Sequence, residues 1–367
     1  MNRFPKKLAQ LEAQNRLRSL KLPDGIDLSS NDSLGFARHP ALRKAAIEAL
    51  EQGLDLGAGG SRLLRGHTQA HADLEDYAAT HYGAEKALYF ANGFAANYAL
   101  FTALPSRHDV VVYDAYVHAS VRDGIHASTA KSIKVAHNDL NAFEEALKRH
   151  RDETETLFIA VESVYSMDGD FAPLPKLQAL AQRYDAILIV DEAHGTGVWG
   201  THGKGLSAPA ENLIAVHTCG KALGVAGGLV CASSVIIDTL INTARPFIYS
   251  TAPPPLQALL THKALELCAS PEGDALRAKL HSLCATTQKH LGGAGSQIVP
   301  IILGDDARAV SAAKTLQQAG YDIRAIRPPT VPEGTARLRL SLNAGLDESV
   351  LDDFLSKLRP LLLEKAA

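Results

Sequence analysis

Six short apolar runs, at 87–90, 110–113, 133–136, 157–161, 187–190 and 215–217, recur through the middle of the chain. Stretches of helical spacing fall between most of them, near 94–104, 118–127, 139–149 and 173–184. Several runs are apolar throughout: residues 157–161 read Leu-Phe-Ile-Ala-Val and 187–190 read Ile-Leu-Ile-Val. A strand that faces water on one side alternates polar and apolar residues, so unbroken runs point to strands covered on both faces. Strand–helix alternation of this kind predicts an α/β fold with a mostly parallel central sheet and flanking helices.

The flanks differ. Leu8, Leu11, Leu17 and Leu20 predict an amphipathic helical arm over 5–20, ended by Pro23-Asp24-Gly25. A short strand at 26–28, a loop at 29–35 and a helix at 40–52 follow. Residues 57–62 (GAGGSR) are too glycine-rich for either element, and 71–82 is helical again. Beyond Arg245-Pro246 the pattern becomes α+β: helices at 253–268 and 272–291, a strand at 298–303, a helix at 306–319, strands at 321–326 and 336–342, and a helix at 347–363. The expected division is an arm at 1–38, a large α/β domain at 39–244 and a smaller α+β domain at 245–367.

Composition excludes several classes. A formal charge of −3 offers no basic surface for nucleic acid or an anionic membrane. No apolar run approaches the ~18 residues a membrane span needs, and the basic start MNRFPKKLAQ lacks an apolar segment after it. Cys219, Cys231, Cys268 and Cys284 show no C-x-x-C pair and read as buried free thiols in a reducing compartment. The expectation is a cytoplasmic protein.

Three motifs point elsewhere. Gly195-Thr196-Gly197-Val198-Trp199-Gly200 matches the dinucleotide fingerprint, but it opens no convincing helix and lacks an acid about 20 residues on. Asp191-Glu192-Ala193-His194 spells a helicase box, yet the chain has no phosphate loop of the form G-x-x-x-x-G-K-[ST]. His67 and His71 have the spacing of a metal pair, but with no evident third ligand a capping or surface role is commoner. No metal site is expected.

One constellation does carry chemistry. Pyridoxal 5'-phosphate needs a lysine for a Schiff base, an acid to keep its pyridine nitrogen protonated, and a phosphate site at a helix start. An acid and a pyridinium ~4 Å apart attract by about 4 kcal/mol at an effective dielectric near 20, before desolvation. Asp191 ends the apolar run 187–190, Lys221 follows the run 215–217 between Gly220 and Ala222, and Gly93 lies between the strand at 87–90 and the helix at 94–104. Ligands of α/β sheets bind at such strand ends.

The chain also resembles, over nearly its whole length, the α-oxoamine synthases, fold-type I pyridoxal-phosphate transferases that join an amino acid to an acyl thioester. The matching blocks are Ser30-Asn31-Asp32 with Leu34-Gly35, GAGGSR at 57–62, NGFAAN at 92–97, DAYVHAS at 114–120, ESVYSMDGD at 162–170, VDEAHGTG at 190–197, TCGKALG at 218–224, IYSTAPPP at 248–255 and RPPTVPEGTARLRLSL at 327–342. Residues 325–332 and 136–139 carry a closer likeness to the member in biotin biosynthesis, which condenses L-alanine with a pimeloyl thioester.

The resemblance implies roles at the matching positions. Lys221 would be the Schiff-base lysine and take the α-proton, Asp191 the pyridine-nitrogen partner, and His194 a donor to the ring's 3-oxygen. His118 would stack on the ring and contact substrate, while Gly93, Phe94, Ser166 and Thr218 would bind cofactor. Thr251 would reach the phosphate held by a second copy, implying a homodimer with a shared active site. Arg339 would clamp the amino-acid carboxylate, and Arg18, Asn31 and Thr330 would contact substrate or product. The acyl carrier is coenzyme A or a carrier protein. Ser33 stands where the family usually has a tyrosine, which leaves acyl-chain preference open, and family members using glycine or serine remain alternatives.

Overall fold

The structure is a computed structural model that describes residues 3–363. The outermost ends of the expected arm and C-terminal domain, 1–2 and 364–367, lie outside the described residues. Two compact units emerge. The larger comprises Leu34–Ser166 and Phe171–Arg277, and the smaller Met1–Ser33, Met167–Asp170 and Ala278–Ala367. Residues 245–277 thus group with the sheet rather than with the α+β part, because helix Pro255–Cys268 packs on helices Gln69–Tyr82 and Pro40–Glu51.

The larger unit is built on a seven-stranded sheet, in the spatial order Lys86–Phe90, Gly228–Ala232, Leu213–Thr218, Ala186–Asp191, Leu157–Glu162, Val110–Asp114 and Lys131–Val135. Gly228–Ala232 runs against both neighbours, and the pairings among the last five strands are parallel. Successive side chains face opposite ways. On one face Val111, Phe158, Ala160 and Ile189 pack with Ala96, Leu100 and Val121 of two helices. On the other, Val112, Ile159 and Val190 pack with Leu147 and Leu177. Each large apolar side chain among these contributes about 1.5–3 kcal/mol by leaving water, which is why the central runs 157–161 and 187–190 carry no polar residue before the strand ends. There the chain places Asp114, Glu162, Asp191 and Thr218.

Gly228–Ala232 is absent from the periodicity reading. It begins on a glycine because a Cβ at Gly228 would lie 2.8 Å from the Asn92 carbonyl carbon and the Gly93 nitrogen. That contact seats the strand against the start of helix Gly93–Ala103, whose first turn is capped by Asn92 Oδ1 accepting from the Ala95 N–H at 2.8 Å.

In the smaller unit, a three-stranded antiparallel sheet is ordered Arg324–Ile326, Ala336–Ser341, Ile298–Gly304. The single strand expected at 321–326 is two. Tyr321–Asp322 pairs in parallel with Ile26–Asp27, and a turn from the Ile323 N–H to the Tyr321 carbonyl redirects the chain before Arg324. The arm also differs from expectation: its helix spans Arg3–Ala13 only, and Asn15 follows with φ +55°, a left-handed residue that stops it. No residue of that helix is buried, so no core holds a longer one together.

Candidate active site

Lys221 and Asp191 both lie at the carboxyl edge of the parallel strands. The Nζ of Lys221 lies 2.9 Å from Nε2 of His194, which follows Asp191 by three residues. Asp191 is buried at 4 % exposure, and both carboxylate oxygens are held: Oδ2 accepts from Asn97 Nδ2 at 2.7 Å and Oδ1 from the Ala193 N–H at 2.9 Å. Glu162 sits opposite Asp191 in the neighbouring strand. Its carboxyl group is pushed well above the usual range, first by burial and then by the Asp191 charge, with Lys221 opposing. Its Oε2 accepts from the Ser166 N–H at 3.1 Å, which ties Ser166 to the same strand end. His118 caps helix Ala119–Ala127 through Nδ1, which accepts from the Ser120 N–H at 3.2 Å. Burial pulls the imidazole pKa down, while Asp191 raises it and Lys221 lowers it, so the three groups share one electrostatic site.

A candidate phosphate cradle adjoins. A Cβ at Gly93 would collide with the Thr218 hydroxyl, so only glycine fits where the helix start meets the end of strand Leu213–Thr218. Backbone N–H groups of a helix's first turn beside a hydroxyl form an anion-binding donor set. An amine beside an imidazole, a fixed carboxylate and this cradle are the groups pyridoxal phosphate requires. The residues present fit it.

Comparison with known proteins agrees. The pattern for aminotransferase class I and II matches residues 23–358. The 8-amino-7-oxononanoate synthase of Geobacter sulfurreducens is 42 % identical, covering 94 % of both chains, and that of Chromobacterium violaceum is 43 % identical, covering 96 % of this chain and 97 % of its own. The chain belongs to the aminotransferase class I and II family, within its α-oxoamine synthases. Among solved α-oxoamine synthases, a serine palmitoyltransferase from S. paucimobilis with a bound PLP–myriocin aldimine superposes with a TM-score of 0.88 at 26 % identity, over 98 % of this chain and 96 % of that one. The 8-amino-7-oxononanoate synthase of Francisella tularensis superposes at 0.73 with 28 % identity, over 92 % and 96 %.

The remaining positions singled out from the α-oxoamine resemblance fall into separate groups. In the smaller unit, Arg339 is 7 % exposed; its NH1 donates to Ser341 Oγ at 2.8 Å and its NH2 to Asn31 Oδ1 at 3.0 Å. Arg337, two residues earlier, is ion-paired with Asp168 instead. Arg18 NH2 donates to Thr330 Oγ1 at 2.9 Å. Ser33 is buried, and its carbonyl accepts from the Ala344 N–H at 2.8 Å. In the larger unit, Phe94 and Thr251 are both exposed. The turn holding Thr251 is pinned by the Ala252 N–H donating to the Gly60 carbonyl and by His71 Nε2 bonded to the Pro253 carbonyl, both at 2.9 Å.

His67 and His71 have other duties than metal. His71 forms a capping box with Thr68, and His67 Nδ1 accepts from Arg62, which also makes a two-pronged ion pair with Glu75. All four cysteines are buried and free. The fingerprint glycines 195–200 form turns, and a Cβ at Gly195 would strike Glu192, whose carboxylate accepts from Ser163, Leu206 and Ser207. Sequence reasoning passed over Asn97, Ser120 and Glu162. The signal available for Asn97 was its place as the one polar side chain among the buried residues of a largely apolar helix.

Proposed function

We propose that the protein condenses L-alanine with a pimeloyl thioester, with loss of carbon dioxide, to give 8-amino-7-oxononanoate for biotin biosynthesis. The observation that carries this is Lys221 Nζ at 2.9 Å from His194 Nε2, in a chain 42 % identical to an 8-amino-7-oxononanoate synthase. Pyridoxal phosphate, when bound, supplies an electron sink for the amino acid's α-carbon. Lys221 would anchor it and then take and return the α-proton at Nζ. Asp191, oriented by Asn97 and the Ala193 N–H, would hold the ring nitrogen's proton. His194 would donate to the ring's 3-oxygen, and His118 would cover the ring face and meet substrate. Gly93, Phe94, Ser166 and Thr218 would complete the cofactor site. Arg339, oriented by Ser341 and Asn31, would hold the alanine carboxylate. Asn31, Thr330 and Arg18 would contact substrate, Thr251 would reach the phosphate held by the partner of a cytoplasmic homodimer, and the thioester is carried by coenzyme A or a carrier protein. Holding both reactants in one site supplies the entropic share of the acceleration.

A second reading, condensation of serine with a long-chain thioester, has the TM-score of 0.88 with serine palmitoyltransferase behind it. Backbone likeness reports fold, and identity is 42–43 % to the 8-amino-7-oxononanoate synthases against 26 % to that serine palmitoyltransferase. Thiol release by purified protein with alanine, glycine and serine, each against pimeloyl- and palmitoyl-CoA, separates the two. Turnover highest with alanine and the pimeloyl thioester is expected. A preference for serine and palmitoyl thioester would reverse the assignment, and protein that binds no pyridoxal phosphate would remove it.

A further inference from the structure

Asn97 lies one helical turn beyond Gly93, on the face of helix Gly93–Ala103 that also begins the phosphate cradle. It is 2 % exposed, and its amide nitrogen makes two bonds: to Asp191 Oδ2 at 2.7 Å and to Ser120 Oγ at 3.0 Å. Ser120 is fully buried, and its Oγ lies 2.8 Å from Nδ1 of His118. A continuous line of polar groups therefore runs from Asp191 through Asn97 and Ser120 to His118. Gly124 makes it short enough: a Cβ there would meet Phe101 Cβ at 3.0 Å and the Asn97 carbonyl oxygen at 3.4 Å, so the two helices approach closely only over a glycine.

Hydrogen-bond chemistry gives the line one direction. Turning the Asn97 amide over would set its oxygen against a carboxylate, so the NH₂ group faces Asp191. Its Oδ1 then has no partner among the described residues, the mark of a side chain retained for its two hydrogens. The second amide hydrogen goes to Ser120 Oγ, which leaves the hydroxyl hydrogen for Nδ1 of His118. That nitrogen also accepts from the Ser120 N–H at 3.2 Å, so two donors converge on it. The imidazole proton is placed on Nε2.

We propose that Asn97 and Ser120 are positioning residues that lock His118 to Asp191, fixing the imidazole as the neutral Nε2–H donor. The proposal rests on the roles given above to His118 and Asp191. Its consequence is that one amide orients both the partner of the ring nitrogen and the group that covers the ring. The charged groups acting on His118 are Asp191, Lys221, Arg122 and Asp123, and of these only Asp191 belongs to the line, at its far end from Nδ1. Protonating Nδ1 would set N–H against N–H, a cost separate from the burial that pulls the His118 pKa down.

The test is nitrogen NMR of protein labelled with 15N-histidine, with and without pyridoxal phosphate, His118 being assigned through His118→Gln. The wild type should show unprotonated Nδ1 at neutral pH. Ser120→Ala and Asn97→Ala should each raise the His118 pKa by roughly half a pH unit or more, the size of one neutral hydrogen bond lost to the unprotonated ring. Ser120→Thr, which restores the hydroxyl, should return it. Asn97→Ala alone should also weaken pyridoxal phosphate binding, because Asp191 loses a donor. A His118 titration identical in wild type, Ser120→Ala and Asn97→Ala overturns the proposal. Should either alanine variant fail to fold, Asn97→Ser, too short to reach both partners, takes its place with the same two outcomes. Failure of the functional reading shows separately, as wild-type protein that acquires no cofactor absorbance.

Discussion

His71 offers a prediction whose size follows from its surroundings. The side chain is completely buried, its Nδ1 lies 2.8 Å from Thr68 Oγ1 and accepts from the Thr68 N–H at 3.3 Å, and Nε2–H donates to the Pro253 carbonyl at 2.9 Å. Both nitrogens are satisfied only in the neutral ring. Burial, helped by the Arg62 charge, pulls the pKa from 6.5 to about 4. The unfolded chain takes up this proton near 6.5 and the folded one resists it until about 4, so stability is complete above 6.5 and drains away as pH falls through that window. The full loss is about 3 kcal/mol, and about 2 kcal/mol of it falls between pH 7 and roughly 4.5. Urea unfolding of wild type and His71→Gln at those two pH values isolates the contribution, because the other buried histidines, His81 and His217, are common to both proteins. The variant is less stable at pH 7 by about 1–2 kcal/mol from lost hydrogen bonds. Its stability should nonetheless fall by about 2 kcal/mol less on acidification. An equal fall in both proteins would refute the reasoning.

Three further outcomes are expected. Gly93→Ala should weaken pyridoxal phosphate binding tenfold or more by equilibrium dialysis, about 1.4 kcal/mol, and trimming the obstructing hydroxyl in Gly93→Ala/Thr218→Ala should recover part of it, since the new Cβ meets that group. Arg62→Ala strands the Glu75 carboxylate, which the ion pair holds at 2.8 Å, and should cost about 3–5 kcal/mol in chemical unfolding, whereas the paired replacement Arg62→Met/Glu75→Leu should cost far less. Arg339→Lys keeps the charge but loses the two-pronged donor that Ser341 and Asn31 orient, so the KM for the amino acid should rise roughly tenfold or more while its thioester KM holds.

What could be read without coordinates has a local cause. Strands covered on both faces must be apolar along their length, so 157–161 and 187–190 announced themselves, and the first polar residue at a strand's end stands out as Asp191 does. Motif spacing carried Lys221 and Gly93 the same way. Strand Gly228–Ala232 stayed hidden because it starts on a glycine that close packing demands. The break at Ile323 is a hydrogen-bonding choice between two partner strands, which periodicity does not record. Arg337 and Arg339 alternate identically in one strand, and sequence alone gives no reason for the first to be paired with Asp168 while the second bonds Asn31.

The sequence by itself determined the layers of the sheet unit, the polar residues at its strand ends, and the amine and acid proposed to serve one cofactor. These depend on hydrophobic period and on residues near one another in the chain. Tertiary structure alone decided which groups hold that acid in place. Asn97 and Asp191 are 94 residues apart, and only the crossing of helix Gly93–Ala103 over helix Ala119–Ala127, allowed by Gly124, brings amide, hydroxyl and imidazole into one line. A hydrogen bond requires contact within about 3 Å and a set direction, and the packing of the fold supplies both.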